Sequence, residues 1–530
     1  MHIVIADQLP ASAVELLSSV SGWTVDAKSG RTPDVLGPAL ANADALIVRS
    51  ATKVDASLIA TAPKLRVIAR AGTGIDNVDL DAASTRGILV MNAPGGNSVS
   101  VAEHALALML SLARSVPVAD ASMKRGVWDK KKLTGAELRG KKLGLVGLGR
   151  IGQEVAARAR AFGMEIVAHD PFISEQVANS LGIELLTLDA MCETVDYVSL
   201  HIPATAETRH LFGKARLAKC KKGIRIVNTA RGELIDEAAL ADGIESGHVG
   251  GAALDVFEKE PPSDWRLAQL PQVVATPHIA ASTAEAQELV GLETASAVRD
   301  YLTVGVIRNA VNFPAIGAED MLQLQPFLAL AEQLGALGVQ LAEGRTKGIS
   351  VRLYGPLVKT HGSLIVSSAV KGMLKPMLSS PAVTIVNARD IAGERGIEIV
   401  ESHSTRARNF ANIVSVKVHT STGERWLEGT VFEPDRPRLT FLDGVDIEAS
   451  LEGTLLVLRN ADKPGVIGQV GSILGRHGVN IASFALGRDD AGAVGVVRLD
   501  ATLEDEGLAK ALPEIRAAEA VKEARIARVS

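Results

Sequence analysis

Short apolar runs alternate with amphipathic stretches through the first part of the chain. Residues 1 to about 96 contain apolar runs of strand length at 2–6, 45–49, 65–69 and 88–91. Apolar positions with helical spacing predict helices near 10–19 and 55–61. Strands that alternate with helices favour a small α/β unit with a parallel sheet, and we expect it to be flavodoxin-like.

A longer series of strands follows a break at 94–98. After a helix from Ser98 or Ser100 to about Ala113, we predict strands at 142–147, 164–168, 195–200, 224–228, 250–254 and 272–275. Six strands separated by helical stretches are the number that a full dinucleotide-binding Rossmann fold requires. A helix from about Thr283 to Leu302 then carries the chain away. We infer that the nucleotide unit is inserted into the first unit, to which this helix returns.

The last 200 or so residues predict two further domains. A linker-like segment at 312–320 precedes a helix at 321–345, and strand-like runs follow at 349–353, 383–386, 413–419 and 438–441. This region is an α+β domain in which Glu424, Asp443 and Glu448 are interpreted as surface charge. The final stretch has the order βαββαβ, which is ferredoxin-like. The predicted domain limits are 1–96 with 283–312, 97–282, 313–451 and 452–530.

Composition and charge exclude several classes of protein. The chain has 530 residues, of which 47% are apolar and 22% charged, and a net charge of −5. The nearest approach to a basic run is Lys130–Lys132, so we predict no nucleic-acid partner. No apolar run reaches the ~18 residues of a membrane helix, and the N-terminus does not look like a signal peptide. Two cysteines form no disulfide framework, which is typical of a reducing cytoplasm.

One stretch, GLGRIG at 147–152, carries the signature of a dinucleotide site. It joins a predicted strand to a predicted helix, and Asp170 follows its last glycine by 18 positions. Gly147 permits a tight turn, Gly149 lets the backbone approach a pyrophosphate, and Gly152 lets helix and strand pack closely. Asp170 can bind both ribose hydroxyls and would repel a 2′-phosphate. The pattern therefore predicts NAD rather than NADP, although a glycine turn of purely structural use is the alternative.

Two loops of the first unit are candidate walls of a substrate site. Arg49 follows one strand end, and Arg70 and Gly72 follow another. Ligands of open α/β sheets bind at the carboxyl ends of the strands. The alternative is that these are ordinary turns with solvated arginines.

Three later residues form a plausible reacting set at strand ends of the nucleotide unit. They are Arg231, Glu260 and His278. A guanidinium can hold the carboxylate of a 2-hydroxy acid, a histidine can take the hydroxyl proton, and a carboxylate can orient that histidine. The alternative is a structural Arg231–Glu260 ion pair beside a turn histidine. We interpret His104 as a packed histidine and His201 as structural or at the cofactor edge, and we find no metal-ligand spacing.

Residues 1 to about 310 resemble the D-isomer-specific 2-hydroxyacid dehydrogenases. The matching motifs are GLGRIG at 147–152, VNTARGELID at 227–236, ALDVF with EP at 253–261 and TPHI at 276–279. The resemblance implies an NAD-dependent dehydrogenase in which Arg231 anchors the substrate carboxylate, Glu260 supports the histidine and His278 is the acid–base. It also implies that six residues lie near NAD: Thr73, Arg150, Ile151, Asp170, Thr229 and Asp255.

The segment ARAGTGIDNVD at 69–79 and the two C-terminal domains resemble a long branch of this family that ends in an ACT regulatory domain. The resemblance implies oxidation of 3-phospho-D-glycerate at the start of L-serine biosynthesis, and Arg49 and Arg70 are our candidates for the phosphate. Asp462 and Asn480 match places where serine binds between paired ACT domains. This implies feedback by L-serine in a homotetramer or homodimer. The alternatives are a dehydrogenase for glycerate or hydroxypyruvate and an NAD-sensing, corepressor-like binding protein.

Overall fold

Within residues 1–128, 130–356, 361–378, 383–404, 406, 408–432, 435–490 and 492–529, the computed structural model contains four β-sheets. The first two sheets are parallel, the third is mixed and the fourth is antiparallel. The chain passes through them in order, except that it returns to the first sheet after completing the second.

The first sheet has the strand order β2-β1-β3-β4-β5, all parallel, which is flavodoxin-like as predicted. Its strands are β1 (His2–Ile5), β2 (Thr24–Ala27), β3 (Ala45–Val48), β4 (Val67–Arg70) and β5 (Leu89–Met91). Its helices are α1 (Ala11–Ser18), α2 (Pro33–Leu40), α3 (Ala56–Ala60) and α4 (Leu80–Thr85). The sequence analysis missed β2, α2 and α4. β2 lies at the sheet edge and is half exposed, so it carries no apolar run.

The second sheet is a seven-stranded parallel sheet with the order β12-β11-β10-β9-β6-β7-β8, the Rossmann order. Its strands are β6 (Lys142–Val146), β7 (Glu165–His169), β8 (Glu184–Leu185), β9 (Tyr197–Leu200), β10 (Ile224–Asn228), β11 (Val249–Leu254) and β12 (Val273–Ala275). Its helices are α5 (Ser98–Arg114), α6 (Val116–Lys124), α7 (Arg150–Ala161), α8 (Glu175–Ser180), α9 (Leu188–Thr194), α10 (Lys214–Lys219) and α11 (Glu237–Glu245). The strand absent from the six predicted is β8, which has only two residues.

The chain then returns to the first sheet, which makes the Rossmann unit an insertion. Helix α12 (Ala284–Val304) packs on α1 and β4. Beyond it, Ala310 forms an antiparallel bridge with Met91. The amide of Asn312 donates to Ile88 O (2.9 Å) and accepts from Val90 N (2.9 Å). These contacts join the segment after α12 to the edge strand β5.

The third sheet has the order β14-β13-β15-β16-β17-β18. Its strands are β13 (Thr346–Tyr354), β14 (Glu398–Ser404), β15 (Ile413–Thr420), β16 (Glu424–Phe432), β17 (Arg436–Leu442) and β18 (Val445–Ser450), with helices α13 (Ala318–Leu341), α14 (Gly362–Leu374) and α15 (Ala388–Glu394). Two expectations were wrong here. The run 383–386 is a turn that binds the first unit, where Thr384 Oγ1 donates to Gly87 O (3.0 Å). Asp443 is not free surface charge, because it pairs with Arg425 (2.8 Å) and accepts from Trp426 N (2.8 Å).

The fourth sheet has the predicted ferredoxin-like order. It comprises β19 (Gly453–Asn460), α16 (Val466–Arg476), β20 (Ile481–Asp489), β21 (Gly492–Leu499), α17 (Glu506–Ala517) and β22 (Val521–Val529), with the sheet order β20-β21-β19-β22. Both edges lie against the rest of the chain. β18 runs beside β20, and Arg528 N on β22 donates to Gln340 Oε1 on α13 (3.0 Å).

Among the described residues, no single helix is long and apolar enough to span a membrane. The bent pair α5 and α6, at 67° to each other, reaches that length and apolarity only when both helices are counted together.

Candidate active site

The glycine turn lies between the end of β6 and the start of α7. Gly147 has φ +94°, which is a left-handed conformation that glycine adopts without cost. A Cβ at Gly152 would overlap Gly147 O, whereas a Cβ at Gly149 would meet nothing within 4 Å. The turn therefore needs glycine at 147 and 152 for its own packing. At Gly149 it leaves open space in front of the helix N-terminus, where a pyrophosphate binds.

Asp170 lies beside this turn at the end of β7. Its carboxylate accepts hydrogen bonds from Leu148 N (2.8 Å) and Phe172 N (2.9 Å). These bonds hold a negative charge next to the glycine turn, where it can bind a ribose diol and would repel a 2′-phosphate.

Two further observations fit a dinucleotide. The Thr229 hydroxyl is buried and has no hydrogen-bond partner within the described residues. Arg150 and Ile151 form the first turn of α7, and the Arg150 guanidinium reaches to Gly95. Thr73, the remaining candidate near the cofactor, donates from Oγ1 to Asn97 Oδ1 (2.9 Å). These residues fit NAD, although they do not all touch one another.

His278 and Glu260 form a hydrogen-bonded pair. Glu260 Oε2 lies 2.7 Å from His278 Nδ1, and Glu260 Oε1 accepts from Phe257 N (3.1 Å). The hydrogen bond and the charge of Glu260 raise the pKa of His278, although burial and nearby Arg231 oppose the rise. Burial raises the pKa of Glu260, but the bond to His278 and the charge of His278 lower it overall. An ionised Glu260 requires Nδ1 to be the donor, so Nε2 is free to act as the base.

The turn that carries His278 is held by a buried carboxylate. Asp255, at 0% exposure, accepts from Ile279 N (2.9 Å) and Ala280 N (2.8 Å). Its backbone oxygen accepts from His278 N (2.8 Å), and His278 has φ +53°. Asp255 thus acts on the geometry of this turn as well as being a candidate for cofactor contact.

Arg231 follows β10 and reaches across the cleft to the first sheet. Its Nε and Nη2 lie 3.1 and 2.9 Å from Asp76 Oδ2, and its Nη1 donates to Ala230 O (2.6 Å). Asn228 braces this loop by donating to Arg231 O (2.8 Å). The alternative Arg231–Glu260 ion pair is wrong, because each partner is bonded elsewhere.

Arg70 lies within electrostatic range of both Arg231 and Arg49 and so links the three cations. Burial lowers the pKa of Arg70, and the charges of Arg231 and Arg49 lower it further. The Nε of Arg70 is buried without a hydrogen-bond partner among the described residues. A Cβ at Gly72 would displace the Arg70 guanidinium, so glycine there lets that guanidinium keep its place. Clustered guanidiniums of this kind suit an anion with several oxygens.

Sequence reasoning missed several residues that build the site. Asp7 accepts from Arg49 N (2.6 Å) and Thr52 Oγ1 (2.7 Å) and so shapes the Arg49 loop. Asp76 is the partner of Arg231, and His104 Nε2 lies 3.0 Å from Thr276 Oγ1. Asp7 and Asp76 could have been found as acidic residues at carboxyl strand ends. The contact of His104 joins positions 172 apart in sequence, so no local pattern reveals it.

His201 follows β9, and its backbone oxygen lies against Gly147 of the glycine turn. Its Nε2 lies 2.9 Å from Ser199 Oγ, and burial lowers its pKa to about 4. It is therefore neutral near pH 7. The described residues contain no group of three or more His, Cys, Asp or Glu that could hold a metal ion.

The structure separates the two effector candidates within one chain. Asp462 follows the end of β19 and lies 3.5 Å from Arg488 Nε. Asn480 precedes β20 and donates to Asp500 Oδ2 (2.6 Å). Ile481 pairs with Leu499, which pairs with Thr454 at the start of β19. Asp462 and Asn480 therefore lie at opposite ends of the sheet, roughly 25 Å apart for a strand of this length.

Three family models match separate parts of the chain. The NAD binding domain of D-isomer specific 2-hydroxyacid dehydrogenases matches residues 106–280, the intervening domain of D-3-phosphoglycerate dehydrogenase matches 323–443 and the ACT domain matches 454–520. D-3-phosphoglycerate dehydrogenase of Methanocaldococcus jannaschii is 41% identical over 513 residues, which are 96% of this chain and 97% of the relative.

Solved structures match the first part of the chain. The TT0316 protein of Thermus thermophilus is 36% identical, with a TM-score of 0.55 over 59% of this chain and 100% of that one. D-lactate dehydrogenase of Aquifex aeolicus, complexed with NAD and lactic acid, is 29% identical, with a TM-score of 0.53 over 59% and 100%.

The inserted Rossmann unit, the Asp170 carboxylate and the His278–Glu260 pair opposite Arg231 define an NAD-dependent dehydrogenase of the D-isomer-specific 2-hydroxyacid class. NAD is its cofactor, and its ACT domain is a binding module for a small-molecule effector. The match to curated relatives over nearly the whole length is more specific. The chain belongs to the D-3-phosphoglycerate dehydrogenase family.

Proposed function

We propose that the chain oxidises 3-phospho-D-glycerate to 3-phosphohydroxypyruvate with NAD, the first step of L-serine biosynthesis. The observation that carries the proposal is the 2.7 Å bond between His278 Nδ1 and Glu260 Oε2, in a cleft that Arg231 spans to reach Asp76. The D-3-phosphoglycerate dehydrogenases to which the chain is similar over nearly its full length support the same substrate.

His278 is the proposed base. Glu260 holds the Nδ1 proton, so Nε2 carries the lone pair that accepts the proton of the C2 hydroxyl. The carboxylate of Glu260 then stabilises the imidazolium that forms. Bound NAD supplies a hydride acceptor at its nicotinamide ring. Its proposed contacts are Gly147, Gly149, Gly152, Arg150, Ile151, Asp170, Thr73, Thr229 and Asp255.

Arg231 is the proposed anchor of the substrate carboxylate. Asp76 occupies its Nε and Nη2 on one side, and Ala230 O accepts from Nη1. Each terminal nitrogen carries two N–H groups, so the outer pair on Nη1 and Nη2 is left for two carboxylate oxygens. The guanidinium thus enters the reaction already oriented.

Arg49, Arg70 and Gly72 are the proposed phosphate site. Arg49→Ala removes one of the clustered cations and should raise the KM for 3-phospho-D-glycerate by roughly tenfold or more. The KM for unphosphorylated D-glycerate should not change. Lys64→Ala is the matched control, because Lys64 is an exposed lysine of the same domain that donates to Asn42 (2.8 Å). An unchanged KM for the phosphorylated substrate in Arg49→Ala contradicts the assignment.

Turnover decides between the dehydrogenase and the two alternatives from the sequence. We expect oxidation of 3-phospho-D-glycerate to exceed that of D-glycerate, and His278→Asn to end turnover while NAD binding persists. Preference for the unphosphorylated acid favours the first alternative. Full NAD binding with no turnover by the native chain favours a sensing protein.

Regulation by L-serine is proposed for a site that two chains share. Asp462 and Asn480 lie too far apart in one chain to hold one small amino acid, so both can contact it only if a second ACT domain supplies one of them. This supports a homodimer or homotetramer. Isothermal titration with L-serine, together with sedimentation, tests the proposal. We expect binding in the millimolar range or tighter, and a monomer that binds serine would contradict the shared site.

A second surface also supports self-association. Large apolar side chains are exposed on α6 and the segment after it, with Trp128 at 79% exposure, joined by Val116, Met123 and Val127. Exposed apolar patches of this kind mark interfaces.

We also propose the domain limits predicted from the sequence. A cytoplasmic location is proposed as well, supported by the fact that both cysteines are free and buried.

A further inference from the structure

We propose that His104 is a positioning residue that acts through Thr276 and Asp255 to align His278, a proposal that rests on the proposed role of His278 as base. His104 lies on α5, and neither the sequence motifs nor the comparisons give it a role.

The hydrogen-bond directions around Thr276 are determined by the partners. Thr276 Oγ1 lies 2.5 Å from Asp255 Oδ1, and a carboxylate can only accept, so the single hydroxyl proton is used there. His104 Nε2 lies 3.0 Å from the same Oγ1 and 3.3 Å from Asp255 Oδ1. The imidazole must therefore donate from Nε2. The Nε2–H of His104 thus points at both the Thr276 hydroxyl and the Asp255 carboxylate and stabilises the pair.

Thr276 and Asp255, the two residues that His104 contacts, hold the turn at 276–280. Asp255 is fully buried, and a buried carboxylate depends on every donor that it receives. Its other acceptor contacts are to Ile279 N and Ala280 N, on the far side of His278. Thr276 and His104 anchor the near side. Removing the His104 donor therefore loosens one of the two ends between which His278 is held at φ +53°.

Packing alone does not call for a histidine at position 104. On the same face of α5, Val101, Ala105 and Leu108 are buried and apolar. A leucine at 104 would continue this face. The polar atom occurs where α5 passes the Thr276–Asp255 pair. The charged neighbour on α5, Glu103, faces Arg158 on α7 instead (3.5 Å).

Three substitutions at one position separate positioning from packing. His104→Leu fills the space without a donor. His104→Gln places an amide nitrogen at the distance of Nε2, whereas His104→Asn places one only at the distance of Nδ1. We expect His104→Leu and His104→Asn to lower kcat by roughly tenfold while the KM values for NAD and 3-phospho-D-glycerate change less than twofold. His104→Gln should recover most of the lost kcat.

A double-mutant cycle with Thr276→Val tests the route. If His104 acts through Thr276, the double variant His104→Leu with Thr276→Val should be no slower than the slower single variant. Full kcat in His104→Leu, equal kcat in the Gln and Asn variants, or additive losses overturn the proposal. If His104→Leu does not fold, the Gln and Asn variants, compared at matched melting temperatures, decide alone. A failure of the proposed function is distinct, because the native chain would then not oxidise 3-phospho-D-glycerate, and a failure of the role of His278 would leave full turnover in His278→Asn.

Discussion

Replacing Glu260 with glutamine should lower activity and move its pH dependence in a known direction. The 2.7 Å bond to His278 is charge-assisted, and such bonds contribute about 1.5–3 kcal/mol against about 0.5–1.5 for a neutral pair. The two side chains are 48% and 38% exposed, so we take the lower part of the difference, about 1 kcal/mol. That corresponds to a roughly fivefold fall in the limiting kcat/KM.

The pH profile gives the sharper test. Only neutral imidazole accepts the hydroxyl proton, so oxidation rises with pH through the pKa of His278. The hydrogen bond and charge of Glu260 raise that pKa. Glutamine removes the charge and leaves only a neutral hydrogen bond, so the pKa falls and the acid limb of kcat/KM moves to lower pH. Glu258→Gln is the matched control, because Glu258 lies in the same loop as Glu260 but pairs with His210 instead of His278. An acid limb that stays in place, or moves to higher pH, refutes the reasoning.

Three other predictions concern the cofactor and effector sites. Gly149→Ala should leave the melting temperature of the free protein unchanged but weaken NAD binding. Gly152→Ala should lower both the melting temperature and the affinity for NAD, because only a methyl at 152 overlaps backbone. Scanning calorimetry and NAD titration measure the two effects, and equal effects of the two variants would contradict this division of roles. Asp170→Ser should raise the ratio of NADP to NAD turnover, since it removes the charge that repels a 2′-phosphate; an unchanged ratio would move the selectivity elsewhere. Asp462→Ala should abolish L-serine binding in calorimetry without altering basal turnover, and retained binding would remove Asp462 from the effector site.

The fold was largely predictable because its signals are local. Buried parallel strands such as those at 45–48 and 88–91 are continuous apolar runs, and the glycine pattern at 147–152 is typical of one turn conformation. The elements that were missed lack such signals. β2 is half exposed at an edge, β8 has two residues, and the run 383–386 is apolar because it packs as a turn against the first unit.

The residues of the candidate site were predictable where a charged or titratable side chain directly follows the end of a predicted strand. Arg231, Glu260 and His278 were found in that way, and the structure places them around one cleft, with Glu260 on His278 and Arg231 within electrostatic range of it. Their assigned roles stay predictions. Contacts that join distant segments, such as Asp76 with Arg231, were not predictable. They depend on how two sheets face each other across the cleft, and no pattern within either segment encodes that.

Because His278 has a left-handed backbone, stability and catalytic activity make opposite demands on the turn that carries it. A non-glycine residue in that region costs of order 1–2 kcal/mol, and His278 has φ +53°. The conformation persists because Asp255 holds the turn from its buried position. Engineering a more heat-resistant enzyme by relaxing residues 276–280 would therefore improve the scaffold at the expense of the reaction. Gains in stability are better sought in the third and fourth sheets, which hold none of Arg231, Glu260 and His278.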